Sequence, residues 1–291
     1  MYIDYSDPVQ WLSHRFASDA AARNPEIEKK CLDYFRERPV LRIVDVGSGT
    51  ASNFCYYFDK FSQSQHWTLL ERDQALIGAA RKNLMHFCQK HVYELKTTEE
   101  GFIIKANGKS AEIVFCRAKL QQIEKCVDMK KTDLLTANAV FDLISFDHFE
   151  ELVIKLSAYN TCLLATLNYY ETSFLPYREE DGRFVNYYHT HMLRPQADGI
   201  AMGPNCCEEM LDLLSRHQMM IEQDSSQWRL KKYDTTMHHY ILHFFENALR
   251  ELNLSPHEQE EVDEWIRSKR HLSDKHRLEI TVDHSDIFAY P

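Results

Sequence analysis

The sequence predicts an α/β protein built on a doubly wound, mostly parallel sheet. Three observations carry that prediction. Strand-like and helix-like segments alternate five times between residues 40 and 167. The first strand candidate runs into a Gly-x-Gly turn that opens a helix, Val44-Asp-Val-Gly47-Ser-Gly49-Thr-Ala51. An acid, Glu71, closes the second strand 22 residues past Gly49, where an open parallel sheet places its ligand crevice.

The elements follow in order. Trp11, Leu12, Arg15 and Phe16 mark a helix from residue 8 that ends before Asn24-Pro25. A second helix runs from 25 to 37 and stops at Pro39. The β-branched run at 40–46 is a buried strand, and Phe54, Tyr57, Phe58 and Phe61 define a helix over 51–62. A strand at 66–71 precedes a helix over 73–91. Asn107-Gly108 between apolar runs marks a hairpin within 101–117. A helix at 119–127, a strand at 132–136, a helix at 140–157 and a strand at 161–167 complete the alternation. Beyond it come an irregular stretch (168–204), a helix (205–217), a strand (219–224), two helices (235–252 and 256–269) and a terminal strand (282–290). No repeat or linker divides the chain. The expected organisation is one domain: a helical cap (1–39), a cofactor-binding core (40–167) and a substrate-side elaboration that completes the sheet (168–291).

Composition narrows the function. The chain has 34 basic and 44 acidic residues, net −10, and its lysine pairs are scattered, so nucleic acid is not an expected partner. Eight cysteines without a C-x-x-C spacing, mostly in apolar surroundings, read as reduced, buried thiols of a cytoplasmic protein. The N-terminus has no basic or apolar leader segment, and no run of 18 apolar residues exists, so neither export nor a membrane span is expected. Nothing in the sequence fixes the oligomeric state.

The chemistry sits in the first two strand–helix turns. Gly47 and Gly49 allow a tight turn and a close approach of ligand to bare backbone, and Glu71 is placed to accept ribose hydroxyls. The bland alternative is a tight βα turn and nothing more. A dinucleotide fingerprint needs a third glycine, but Ser52 stands there, and Asp45 would repel a pyrophosphate. A cationic nucleoside fits better. S-adenosyl-L-methionine carries a ribose, a sulfonium and an ammonium, and no phosphate.

On Asp45-Val-Gly-Ser-Gly-Thr-Ala, Glu71 after Trp67-Thr-Leu-Leu, and Thr132-Asp-Leu-Leu-Thr-Ala-Asn, the chain resembles class I S-adenosylmethionine-dependent methyltransferases. The resemblance implies a seven-stranded Rossmann-like sheet with N- and C-terminal helical elaborations. It places Gly47, Ser48 and Gly49 against the methionine part of the cofactor and Glu71, with Arg72 beside it, at the ribose. Asp45 would organise the amino-acid end, Leu120 would pack on adenine, and Ala137–Asn138 would rim the methyl group. Two positions depart from the pattern. Ala51 replaces the third loop glycine, and Arg117-Ala118-Lys119 occupies the stretch where an adenine-binding acid often stands. The flanking pieces Trp11-Leu-x-x-Arg15, His191, Gly199-x-Ala-Met-Gly203-Pro204, Ser226-x-Trp228 and Asp286-Ile-Phe-Ala-x-Pro resemble a bacterial subgroup without a settled substrate.

Methyl transfer is a displacement at an activated sulfonium, so alignment matters more than acid–base help. Candidates for a general base lie after the fifth strand. His191 and Tyr170 are the chosen pair, and a capping or core role is the bland reading of His191. His189-x-His191 lacks a third metal ligand, so no metal is expected. Arg15 would pair with the cofactor carboxylate or, more simply, with Asp19 at i+4. His238, His239 and His243 decorate a helix, and the acids of 256–269 read as a solvated face. Gly182, Gly199 and Gly203 are expected to shape an acceptor loop. Thr136-Ala-Asn-Ala lacks the signature of a DNA amino-methyltransferase. The expected function is therefore methyl transfer to a small molecule. A protein side chain as acceptor and a non-catalytic cofactor-binding subunit are the alternatives, and an NAD-dependent oxidoreductase stands further off.

Overall fold

The computed structural model describes residues 3–291. Two helices lead the chain, α1 (Pro8–Ala22) and α2 (Pro25–Tyr34). Each starts with proline behind a capping side chain: Asp7 accepts from the Val9 amide, and Asn24 from those of Glu26 and Ile27. The core strands are β1 (Val40–Val46), β2 (Ser64–Glu71), β3 (Glu94–Thr97), β4 (Gly101–Ala106), β5 (Lys109–Arg117), β6 (Leu134–Asn138) and β7 (Cys162–Leu175). Between them lie α3 (Ser52–Tyr57), α4 (Gln74–His91) and α5 (Phe146–Tyr159). The C-terminal part adds α6 (Asp181–Met192), the short ribbon β8 (Pro195–Gln196) and β9 (Gly199–Ile200), α7 (Cys206–Arg216), β10 (Met220–Leu230), α8 (Thr235–Arg250), α9 (Pro256–Asp274) and β11 (Glu279–Tyr290).

The main sheet has the order β10-β11-β7-β6-β1-β2-β5-β4-β3. Strands β5, β2, β1, β6 and β7 are parallel, and β11 runs antiparallel between β7 and β10. That is a seven-stranded, mostly parallel sheet. The antiparallel pair β4 and β3 extends it past β5, giving nine strands in place of the seven expected. Strand β3 escaped the sequence reading because it is four residues long and largely exposed. The hairpin turn is where Asn-Gly requires it: Asn107 and Gly108 both have positive φ, 54° and 78°.

One apolar core fills each face of the sheet. The first joins β-strand residues such as Val44 and Leu135 to Phe149 and Leu152 of α5 and Met210 and Leu213 of α7. The second joins Ile43 and Trp67 to Phe35, Phe54, Phe58 and Leu84. A third gathers α8, α9 and the far ends of β7, β10 and β11 around Trp265, Phe245 and Phe174. In it Lys269 is fully buried, 2.7 Å from Asp181, whose other oxygen accepts from the Trp265 indole. This pair fixes the start of α6 against α9.

Several assignments differ from expectation. Helix α3 stops at Tyr57, and the 119–127 segment is a 3₁₀ turn, Leu120–Lys125. The stretch 168–204 is ordered: β7 runs on to Leu175 and α6 follows, its polar faces having hidden its period. Cys116 and Cys126 are joined in a disulfide, their Cα atoms 6.2 Å apart, because the tight 3₁₀ turn returns the chain beside β5. The expectation of reduced thiols throughout fails for these two; the other six cysteines are free.

Candidate active site

Strand order reverses at β1, with β2 on one side and β6 on the other. A parallel sheet opens its crevice beyond the strand ends at such a point. A cavity of about 830 Å³ lies there, floored by the β1–α3 turn and walled by α1, α6, α8 and the β8–β9 ribbon.

The turn is built for close packing. Gly47 and Gly49 have φ of 62° and 51°, a left-handed region that L side chains avoid. A Cβ on Gly47 would sit 2.8 Å from Val140, and one on Gly49 2.9 Å from Leu12 of α1. Helix α1 thus roofs the loop directly, a role the sequence did not disclose. Ala51, the departing position, also adopts left-handed backbone, φ 63°. Ser48 donates its amide to Leu70 at 3.1 Å, tying the loop to β2.

Two carboxylates flank the loop. Glu71 accepts from the Gly49 amide at 3.0 Å through one oxygen and from the Asp73 amide at 2.9 Å through the other. It therefore clasps the two strand-end turns together, and a carboxylate keeps further lone pairs for ligand hydroxyls. Asp45 is 1% exposed. One of its oxygens accepts from Asn53 at 2.9 Å; the other is buried and has no partner among the described residues. Burial pushes its pKa up to about 7, against the Asn53 hydrogen bond and the Arg23 charge.

Helix α1 is pinned over the cavity by polar contacts. Arg15 Nε pairs with both oxygens of Asp19, at 3.1 and 3.0 Å, so the i+4 ion pair forms. Asp19 also accepts from Asn138 Nδ2 at 3.0 Å, and Asn138 Oδ1 accepts from Thr166 at 2.8 Å. The Arg15 guanidinium lies 4.9 Å from the Trp228 ring centre and still borders the cavity.

The remaining sequence candidates divide. Gly47, Ser48, Gly49, Asp45, Glu71, Arg72, Leu120, Asn138, Arg15 and His191 all border the cavity. Ala137 does not; it is packed in the core, and Asn138, Ala139 and Val140 form the rim instead. Tyr170 does not either. The β7–β11 ladder bulges there: Tyr169 pairs with His284 and Glu171 with Asp283, so Tyr170 is left unpaired and exposed, while the buried Tyr169 hydroxyl meets His189 of α6 at 3.0 Å. His191 Nε2 lies 3.2 Å from Glu251, the residue that caps the C-terminus of α8 and also pairs with Arg194. Among the described residues no group of three or more His, Cys, Asp or Glu side chains forms a metal site. No helix among them is long and apolar enough to cross a membrane.

No family model and no curated protein matches the chain. Solved structures do. A cyclopropane-fatty-acyl-phospholipid synthase-like protein from Lactobacillus casei matches with a TM-score of 0.52 and 10% identity, over 97% of this chain and 92% of that one. The fold is the class I methyltransferase fold. The cyclopropane synthase MmaA2 from Mycobacterium tuberculosis aligns at 0.46 and 11% identity, over 97% and 91% of the two chains. A geranyl diphosphate C-methyltransferase from Streptomyces coelicolor aligns at 0.43 and 8% identity, over 91% and 78%. Within this methyltransferase fold the present chain adds one cavity group that the sequence reading missed. Asp142 sits in a 3₁₀ turn (Phe141–Leu143) after β6 and borders the cavity. The sequence reading placed it within a helix over 140–157, because the Ser145 cap that delays α5 to Phe146 was not recognised.

Proposed function

We propose that the protein binds S-adenosyl-L-methionine in this cavity and transfers its methyl group to a small-molecule acceptor. The observation that carries the reading is the unpartnered oxygen of Asp45 at the foot of a glycine turn clasped by Glu71. An anionic pocket at that point suits an ammonium and rejects a pyrophosphate, which sets NAD aside. Glu71 takes the ribose hydroxyls, with Arg72 at the outer edge. Leu120 and Ala118 pack on the adenine, whose edge meets backbone groups. Arg15, held by Asp19 through Nε, directs its guanidinium charge to the cofactor carboxylate.

The acceptor chamber is the other half of the cavity, between α1, α6 and α8. Its walls carry Trp11, Tyr188, Met192 and Phe244. It is enclosed by helices, which favours a small molecule over a protein side chain. His191, the base that the sequence suggested, stands in its wall 3.2 Å from Glu251. Calorimetry with S-adenosylmethionine, S-adenosylhomocysteine and NAD tests the cofactor. The two sulfur ligands are expected to bind and NAD not; binding of NAD alone defeats the reading. Turnover of the cofactor with fractionated cell metabolites separates an enzyme from a binding subunit.

The β8–β9 ribbon straps the adenine side of the mouth. Lys119 pairs with both oxygens of Asp198 at 3.0 Å, but both side chains are half exposed. Such a pair is worth about 1 kcal/mol at most. Asp198→Ala is therefore expected to weaken S-adenosylhomocysteine by no more than about fivefold, mostly through faster release. Stopped-flow displacement measures this, and an unchanged off-rate shows that the ribbon does not strap the ligand.

A further inference from the structure

Asp142 has the features of a ligand-binding group with no ligand-independent task. It is 7% exposed, and its Oδ1 is buried without a hydrogen-bond partner among the described residues. A buried carboxyl oxygen left unpaired costs folding free energy, so a structural role does not explain it. It borders the same cavity as Asn138 and Val140, beside the rim assigned to the methyl group. Its charge reaches Arg15 of α1 and Tyr188 of α6, two of the helices that enclose the acceptor chamber.

The chamber's other charges are already matched. Arg15 is paired with Asp19, and His191 faces Glu251, which also holds Arg194. Asp142 is the carboxylate left over. Trp11, Tyr188 and Phe244 on the same walls give the chamber an apolar, aromatic lining.

We propose that the acceptor is a primary or secondary amine with an apolar body, and that Asp142 binds its nitrogen and takes its proton. The proposal rests on the methyl-transfer reading above. The amine enters as an ammonium and pairs with the Asp142 carboxylate. One N–H proton passes to a carboxylate oxygen, which frees the nitrogen lone pair. That pair attacks the methyl carbon; the N–C bond forms, the C–S bond breaks, and its electrons stay on sulfur. The products are the N-methylated ammonium and S-adenosylhomocysteine, and Asp142 returns its proton to solvent as they leave. Burial raises the carboxyl pKa to about 6, against a hydrogen bond from its own backbone amide and the Arg15 charge, which narrows the gap to the amine.

The test uses phenethylamine, its isosteric alcohol 2-phenylethanol and 3-phenylpropanoate. Each is titrated by calorimetry into the protein with and without S-adenosylhomocysteine. The amine is expected to bind at least about 30-fold more tightly than the alcohol, the loss typical of an unpaired buried charge. Asp142→Asn is expected to remove that preference while S-adenosylhomocysteine affinity is retained. Equal affinities of amine and alcohol, tighter binding of the carboxylate, no amine binding at all, or a preference that survives Asp142→Asn overturns the proposal. The wild-type comparison stands even if the variant does not fold. Failure of S-adenosylhomocysteine to bind is a separate result and defeats the methyl-transfer reading, not the amine preference.

Discussion

Gly49→Val is expected to abolish measurable cofactor binding, a loss of at least about 1,000-fold, in a protein that still unfolds cooperatively. Two costs combine. A β-branched residue in left-handed backbone costs roughly 1–2 kcal/mol or more at that position. The new side chain also meets Leu12 of α1 at 2.9 Å from its first carbon. The sequence alone located the expected injury at the ligand. The structure moves it to the roof: α1 must lift off the cavity, or the turn must flatten and move the Gly49 amide from Glu71. Calorimetry with S-adenosylhomocysteine reads the loss. A double variant, Gly49→Ala with Leu12→Ala, separates the two costs, since it relieves the contact and keeps the strain. It should recover part of the binding. If Gly49→Val binds normally, the turn is not the cofactor loop.

What the sequence disclosed was local. The glycine turn, Asp45 and Glu71 were legible because strand, turn and helix follow one another within a few residues, so their order alone puts them at one sheet edge. The Asn-Gly hairpin was legible for the same reason. What escaped depends on distance or on parity. Leu12 covers Gly49 from 37 positions upstream, and no local pattern announces it. Tyr170 was chosen as a candidate beside Tyr169, but β7 continues through that point and bulges, which leaves Tyr170 unpaired and exposed. Ala137 sits one residue too early on β6, a regular strand whose alternate residues point to opposite faces. Asp142 was absorbed into a helix that begins four residues later. The five-strand alternation was reliable; the reach of one element over another was not.

Cofactor affinity is expected to rise with pH through about 7 and then level off. The cause is Asp45. Its carboxyl titrates near 7 in the ligand-free protein because burial and the Glu71 charge oppose ionisation, outweighing Asn53 and Arg23. The cofactor's ammonium needs the ionised form. With one coupled proton, the dissociation constant at pH 6 should be about tenfold that at pH 8. Stability of the ligand-free protein moves the opposite way. The folded pKa lies above the ordinary carboxyl value of 3.8, so between about pH 4 and pH 7 the folded state holds a proton that the unfolded chain has lost. Folding stability from this group therefore falls as pH rises across that window, and above it the full cost of the buried charge remains. Asp45→Asn removes that cost while an amide can keep the contact with Asn53, so the ligand-free variant should match or exceed wild-type stability at pH 8. It should also bind S-adenosylmethionine at least about 100-fold more weakly and lose the tenfold pH dependence, because the ammonium then meets no charge. A stability gain without an affinity loss would show that Asp45 is a buried acid with no ligand to serve. Thermal unfolding with and without cofactor, run from pH 6 to pH 8, reads both quantities on one sample.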